Sequence, residues 1–206
     1  MSYDLFAGEL GSFGSGMEIS MPDADVLHFA RLFDPCEASS LFLQLQQNIE
    51  WQQQQIKLHG RVHDLPRLTA WYGDPAVTYS YSGISITSSE WVEALLEIKR
   101  RIEGVSDFSF NCVLLNRYRN GSDGVSWHAD DEPELGQNPV IGSVSFGEAR
   151  PFQLKHKILD EKREIILENG SYLLMKGRTQ HCWLHKIPKS KRVLGERINL
   201  TFRLVA

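Results

Sequence analysis

The apolar and polar positions divide this chain in two. Up to Gly104 the apolar residues recur at helical spacing in two stretches, and beyond it they fall into short runs of strand period. Asp34-Pro35 opens the first helical stretch, since Asp is a good N-cap and Pro is tolerated in the first turn. Leu41, Leu43, Leu45 and Ile49 give it a partial apolar stripe before Trp51. In the second stretch Ser88 or Ser89 is placed to cap. Trp91, Val92, Leu95, Leu96, Ile98 and Ile102 recur near helical period, and Gly104 is the expected stop. The strand-like runs that follow are FNCVLLNRY (110–118), VIGSVSFG (140–147), PFQLKH (151–156), REIILE (163–168), SYLLMK (171–176) and RINLTFRLV (197–205), with NGSDG (120–124) and ENG (168–170) as turns. Two helices ahead of such strands predict a mainly β fold with flanking helices (α+β), a jelly-roll barrel behind an N-terminal helical buttress. The first 25 residues are rich in Gly and Ser and lack periodicity. They are expected to form a loose lead-in to a single domain over 26–206.

Composition narrows the class without naming a function. Hydrophobic residues at 42% and charged residues at 23% of 206 are ordinary globular values. No stretch approaches the ~20 apolar residues a membrane span requires, and no basic region followed by an apolar run opens the chain, so a cytoplasmic or nuclear protein without membrane contact is expected. Cys36, Cys112 and Cys182 are odd in number and lack zinc-type spacing, which argues against a disulfide framework or a structural zinc knot. The net charge of -4 is unevenly spread: residues 150–206 hold 13 Lys/Arg against 5 Asp/Glu. A basic final third permits local contact with an anionic partner, and equally a solvated basic face.

Candidate chemistry begins at W-H-A-D-D-E-P. His128 and Asp130 stand two apart, so in extended conformation both side chains leave one face of a strand and can grip one cation. Completed by a distant His, such a pair makes the two-His-one-carboxylate triad that leaves three sites open on Fe(II). The bare pair is common. His181 and His185 downstream both offer a third donor. Arg197 and Arg203, at spacing six in the last strand, share a face with Asn199 and Thr201, while Leu200, Phe202 and Leu204 take the other. A guanidinium turned into a pocket is a natural partner for a carboxylate.

Several segments together make a specific pattern. They are P-R-L-T-A-W-Y-G-D (66–74), Y-S-Y-S-G (79–83), N-R-Y-R-N-G-S-D-G-V-S-W-H-A-D-D-E-P (116–133), S-V-S-F-G (143–147), W-L-H-K-I-P (183–188) and R-I-N-L-T-F-R (197–203). Over roughly residues 50–206 the chain resembles the AlkB-type nucleic-acid dealkylating dioxygenases. The resemblance implies a double-stranded β-helix (jelly roll, cupin-like), with Fe(II) on His128, Asp130 and His185, and His181 left a structural histidine. It implies 2-oxoglutarate on Asn116, Tyr118, Arg197, Asn199, Thr201 and Arg203, with Arg203 at the distal carboxylate and Arg197 nearer the metal beside Asp130. O2 is the cosubstrate.

The implied reaction is oxidative demethylation of bases such as 1-methyladenine or 3-methylcytosine in DNA or RNA, releasing formaldehyde, succinate and CO2, by a monomer that repairs alkylation damage. A nucleotide-recognition lid is expected over about 51–83. Tyr81 and His128 would clamp the flipped base, with Tyr79 beside it, since such chemistry requires the base out of the stack. Asp131 or Glu132 would favour a cationic base. His59, with Leu58, occupies the wedge position that duplex-acting members fill with an apolar or aromatic residue. Arg61, Arg67 and the run 186–192 are candidate phosphate contacts. A related oxygenase acting on a protein or small molecule, and a reader of alkylated nucleic acid without turnover, are the alternatives.

Overall fold

The computed structural model describes residues 15–58, 60–75, 78–81 and 84–205. The strands are β1 (Met17–Glu18), β2 (Asp25–Phe29), β3 (Gln55–Leu58), β4 (Arg61–Asp64), β5 (Leu68–Gly73), β6 (Thr78–Tyr81), β7 (Ile84–Thr87), β8 (Cys112–Tyr118), β9 (Val125–His128), β10 (Ile141–Gly147), β11 (Arg150–His156), β12 (Lys162–Leu167), β13 (Ser171–Lys176), β14 (Trp183–Ile187) and β15 (Arg197–Arg203). The helices are α1 (Pro35–Asn48), α2 (Glu93–Ser106) and the single turn α3 (Thr179–Cys182). Seven strands make a major sheet in the order β1-β2-β13-β10-β15-β8-β5. Four make a minor sheet, β12-β11-β14-β9, and β3–β4 and β6–β7 are separate hairpins.

Alternation along the major sheet sorts its side chains into two cores. Val113, Leu115, Val144, Phe146, Ile198, Leu200 and Phe202 join Ala38, Leu41 and Leu45 of α1 and Leu95, Ile98 and Ile102 of α2 in one cluster. Val26, Cys112, Leu114, Ile141, Leu173 and Met175 face the other way and meet Phe152, Leu154, Ile165, Trp183 and Ile187 of the minor sheet. The molecule is thus helices, major sheet and minor sheet in three layers, and the jelly-roll interior lies between the sheets. No helix among the described residues is long and apolar enough to cross a membrane.

The first helix starts as its sequence predicts: Asp34 Oδ1 accepts from Cys36 N and Glu37 N at 2.8 and 2.9 Å, satisfying two otherwise orphaned donors. The second departs from expectation at both ends. Ser89 does not cap it, because its backbone pairs with β5, donating to Trp71 O and accepting from Gly73 N. The N-cap is Val92, with no side-chain bond. Gly104 does not end it either. The helix runs on to Ser106, whose hydroxyl donates to Ile102 O at 2.6 Å, and Asp107 closes it in left-handed conformation. Val105 packs on the helical core, and that contact offsets the roughly 1 kcal/mol a mid-helix Gly costs.

Two other boundaries shift. Part of the expected lead-in is docked: Met17 and Glu18 pair with β2, Met21 is buried, and Pro22 O accepts the Trp183 indole proton at 2.8 Å. Within the 51–83 segment, β5 is the end strand of the major sheet, so only the two hairpins are free to form a lid.

Candidate metal centre and its pocket

All seven residues of β15 are buried, although every second one is polar. Ile198, Leu200 and Phe202 turn to the helical core, so Arg197, Asn199, Thr201 and Arg203 point between the sheets. Their register partners continue this polar wall, Arg197 opposite Tyr118 and Asn199 opposite Asn116 on β8, and Thr201 opposite Ser143 on β10. Asn199 Nδ2 donates to Ser143 Oγ and Val144 O at 2.9 Å each. A pocket lined by Asn116, Tyr118, Arg197, Asn199, Thr201 and Arg203 also contains His128, Asp130 and His185. The six residues expected around 2-oxoglutarate and the three expected at the metal therefore share one cavity.

His128 and His185 are register partners across the β9–β14 pair, their ring centroids 4.2 Å apart. Asp130 follows β9 directly and brings Oδ1 to 3.9 Å from His128 Nε2. One donor atom from each of the three residues lies within 4.8 Å of the others. The ring chemistry suits a cation. His128 Nδ1 lies 2.8 Å from Ser126 O, and a carbonyl only accepts, so Nδ1 carries the proton and Nε2 keeps its lone pair. Burial, with His128 beside it, pulls His185 down to about 3, so that imidazole is neutral near pH 7. Burial would raise the Asp130 carboxyl, but Arg203 and the two imidazoles hold it down at about 2, keeping it ionised. Two imidazoles and one carboxylate on one wall are a donor set that could hold Fe(II) with positions left open.

Arg203 Nη2 lies 3.1 Å from Asp130 Oδ1, both side chains almost fully enclosed. This corrects the expected arginine neighbour of Asp130. Arg203 is the one beside the carboxylate. Arg197 sits deeper, its Nη2 donating to Ser145 Oγ at 2.9 Å and its Cζ 5.2 Å from the Tyr118 ring. Its Nε and Nη1 are buried with no acceptor in hydrogen-bonding geometry among the described residues. Burial pulls the group down to about 10, opposed by the Tyr118 hydroxyl. A guanidinium enclosed in this way could take an anion.

The expected substrate residues divide. Arg61 is exposed on β4. Arg67 is not a surface phosphate contact: it is buried in the pocket wall, donating from Nε to Asn116 Oδ1 at 2.7 Å. Asp131 is tied to Lys157 Nζ at 3.1 Å. Glu132 has a buried Oε2 without a hydrogen-bond partner among the described residues. His59 lies outside the described residues. The backbones of Tyr79 and Tyr81 lie in β6, paired with β7, while their side chains are outside what is described. His181 stands apart from the centre, its Nε2 accepting from Asn138 N at 3.2 Å.

Three further residues support the site without having been named as site residues from the sequence, although Ser145 lies within S-V-S-F-G. Gln180 Oε1 accepts from Asp130 N at 3.0 Å, fixing the Asp130 backbone from α3. Ser145 holds Arg197 from the neighbouring strand. Arg150, wholly buried, donates from Nη2 to Asp123 O and Pro188 O at 3.0 and 2.7 Å, joining the turn before β9 to the loop after β14. A second cluster, Asp23, His156 and Cys182, also brings donor atoms within 4.8 Å. There His156 Nδ1 accepts from Ile158 N and Leu159 N, so the proton sits on Nε2 and faces Asp23 Oδ2 at 3.5 Å. That imidazole offers a hydrogen, where a metal needs a lone pair.

Comparison with known proteins bears on this geometry. The family model described as the 2OG-Fe(II) oxygenase superfamily matches residues 25–203. The mouse protein named DNA oxidative demethylase ALKBH2 is 40% identical over 185 residues, covering 84% of this chain and 77% of that protein. The bovine alpha-ketoglutarate-dependent dioxygenase alkB homolog 3 is 41% identical over 179 residues, 82% of this chain and 62% of that one. The solved structure of OsALKBH1 superimposes with a TM-score of 0.62 at 17% identity, covering 91% of this chain and 99% of that one, a likeness of fold.

Proposed function

This chain belongs to the 2OG-Fe(II) oxygenase superfamily, among its AlkB-type members, and on that premise we propose that it oxidatively demethylates N-alkylated bases in DNA. Its cofactors are Fe(II) and 2-oxoglutarate, with O2 as cosubstrate. The observation that carries the reading is the convergence of His128, Asp130 and His185 beside a pocket whose far wall is the buried guanidinium of Arg197. When bound, the cofactors would supply the oxidation: 2-oxoglutarate and O2 give succinate and CO2, the methyl carbon takes up one oxygen and leaves as formaldehyde, and the ring nitrogen of the cationic base regains its lone pair as a proton is released.

The protein's own part is placement. His128, Asp130 and His185 hold the metal. Arg203 keeps Asp130 ionised, and Gln180 fixes its backbone. Arg197, with Tyr118, Asn116, Asn199 and Thr201, takes the dicarboxylate. His128 retains 30% of its side-chain exposure, so the cavity is reached past this imidazole, where a flipped base can stack on the ring. Glu132 is better placed than Asp131 to select a cationic lesion, because Asp131 is already neutralised by Lys157 whereas the Glu132 Oε2 is enclosed and unpaired among the described residues. The hairpins β3–β4 and β6–β7, carrying Arg61, Tyr79 and Tyr81, form the lid. The working unit is a single chain, and an RNA strand bearing the same lesions fits the same recognition.

A single-stranded oligonucleotide carrying 1-methyladenine or 3-methylcytosine, incubated with Fe(II) and 2-oxoglutarate, tests this. One formaldehyde should appear per lesion lost, with none from the unmodified strand or from His128→Ala protein. Succinate formed without formaldehyde from every methylated strand would move the substrate outside nucleic acid.

A further inference from the structure

His128 and Trp127 are neighbours on β9 and, by strand alternation, point to opposite faces of the minor sheet. His128 enters the pocket. Trp127 lies on the outer face, in a cleft with Pro66, Ser126, Lys186 and Lys189. Lys155 of β11 and Lys186 of β14 both come to this indole, their Nζ atoms 4.7 and 4.5 Å from the ring centroid. Neither ammonium is in an ion pair among the described residues. The neighbouring acid, Glu164, accepts from Gln153 Nε2 at 2.8 Å. The ring thus holds two long side chains in place, which lowers the rotamer entropy of roughly 2 kcal/mol each would otherwise lose on binding an anion.

The position of β9 connects this face to the pocket. It is the end strand of the minor sheet, and His128 marks the way in. A polynucleotide delivering a base past His128 crosses only the width of one strand, about 5 Å, before it meets Trp127 and the two ammonium groups. Base stacking on a ring already attended by two lysines is disfavoured, whereas phosphate contact is not.

We propose that the outer face of β9, β11 and β14, centred on Trp127, Lys155 and Lys186, holds phosphates of the strand that continues beyond the flipped lesion. This rests on the nucleic-acid reading of the pocket. The blander role of the trio, stiffening the sheet face, predicts a different response to salt and to substrate length.

The test compares wild type with Lys155→Gln/Lys186→Gln protein on two fluorescent single strands, a lesion-bearing trinucleotide and an oligonucleotide long enough to pass the sheet edge. Anisotropy should show the long strand's advantage in Kd over the short one shrinking at least several-fold in the variant. Each single-strand phosphate contact contributes about 0.7 to the slope of log affinity against log salt, so the slope for the long strand should flatten by roughly 1.4. An undiminished length advantage with an unchanged slope overturns the proposal. So does an equal loss on both strands, which marks general damage to the fold. Polyglutamate competing as well as the oligonucleotide, with the same slope, assigns the face to an acidic protein and also overturns it. Formaldehyde release by wild type from the long methylated strand is measured alongside. Its absence would refute the demethylase reading, separately from any result on the outer face.

Discussion

His128 donates through Nδ1 to a carbonyl, and His156 accepts through Nδ1 from two backbone amides. That one difference decides which of two similar clusters offers lone pairs to a metal. The W-H-A-D pattern gave no hint of it, because the deciding partners are backbone atoms. The face shared by Arg197 and Arg203 was legible, since alternation assigns faces. Their depth along the strand was not: Arg203, where Arg197 was expected, lies beside Asp130, and we propose that the roles are exchanged. The exchange is measurable. Arg197→Met removes charged hydrogen bonds worth roughly 1.5–3 kcal/mol and should raise the KM for 2-oxoglutarate about 10- to 100-fold while leaving metal affinity near wild type. Arg203→Met instead leaves Asp130 without its guanidinium, and metal affinity and thermal stability should both fall. Steady-state kinetics with varied 2-oxoglutarate, beside a Mn(II) titration, separates the two. Equal KM effects from both substitutions would undo the assignment.

Among the elements, α1 was readable from Asp34-Pro35 because its cap is local. The limits of α2 were not, because Ser89 is engaged by β5 and Val105 holds the helix past Gly104 through tertiary packing. The strand β14 escaped notice for a related reason: W-L-H-K-I alternates, but its inward members include His185, which reads as polar until the metal pocket gives it a reason to be buried. Gly147, the last residue of S-V-S-F-G, has a clear local cause. It ends β10 at φ +84°, opposite Arg197, and a Cβ there would collide with Glu196 O and the Phe42 ring. Gly147→Ala should cost roughly 1–3 kcal/mol from backbone strain alone, read as a lower urea midpoint. It should also weaken 2-oxoglutarate binding, since the strain falls where β15 begins.

Across the whole molecule, the basic final third proves not to be one surface. Arg150, Arg197 and Arg203 are interior, and Lys157, Arg163, Lys176 and Arg178 each have a carboxylate partner. What remains for an anionic partner is concentrated near β9 and the loop after β14. The three-layer jelly roll was foreseeable from helices followed by short strands, while the register that joins its sheets was not. A buried pocket proposed to hold a dication and a dianion also predicts strong linkage. At 100 times their Kd, a ligand adds about 2.7 kcal/mol. For a chain of this size each kcal/mol moves Tm by about 2–4 °C. Mn(II) with 2-oxoglutarate should therefore raise Tm by about 5–10 °C over chelator-treated protein, and His185→Ala should abolish most of that gain. No shift in wild type would contradict the pocket's assignment.

The pairing of His128 with His185 across β9 and β14 has one more consequence. The two imidazoles are far apart along the chain and adjacent only once the terminal strand has closed onto its neighbour. A half-folded chain has only the local His128 and Asp130 pair, and the three-donor set is complete only after His185 has come alongside. Assembly of the metal-binding set is thus tied to closure of the sheet around it.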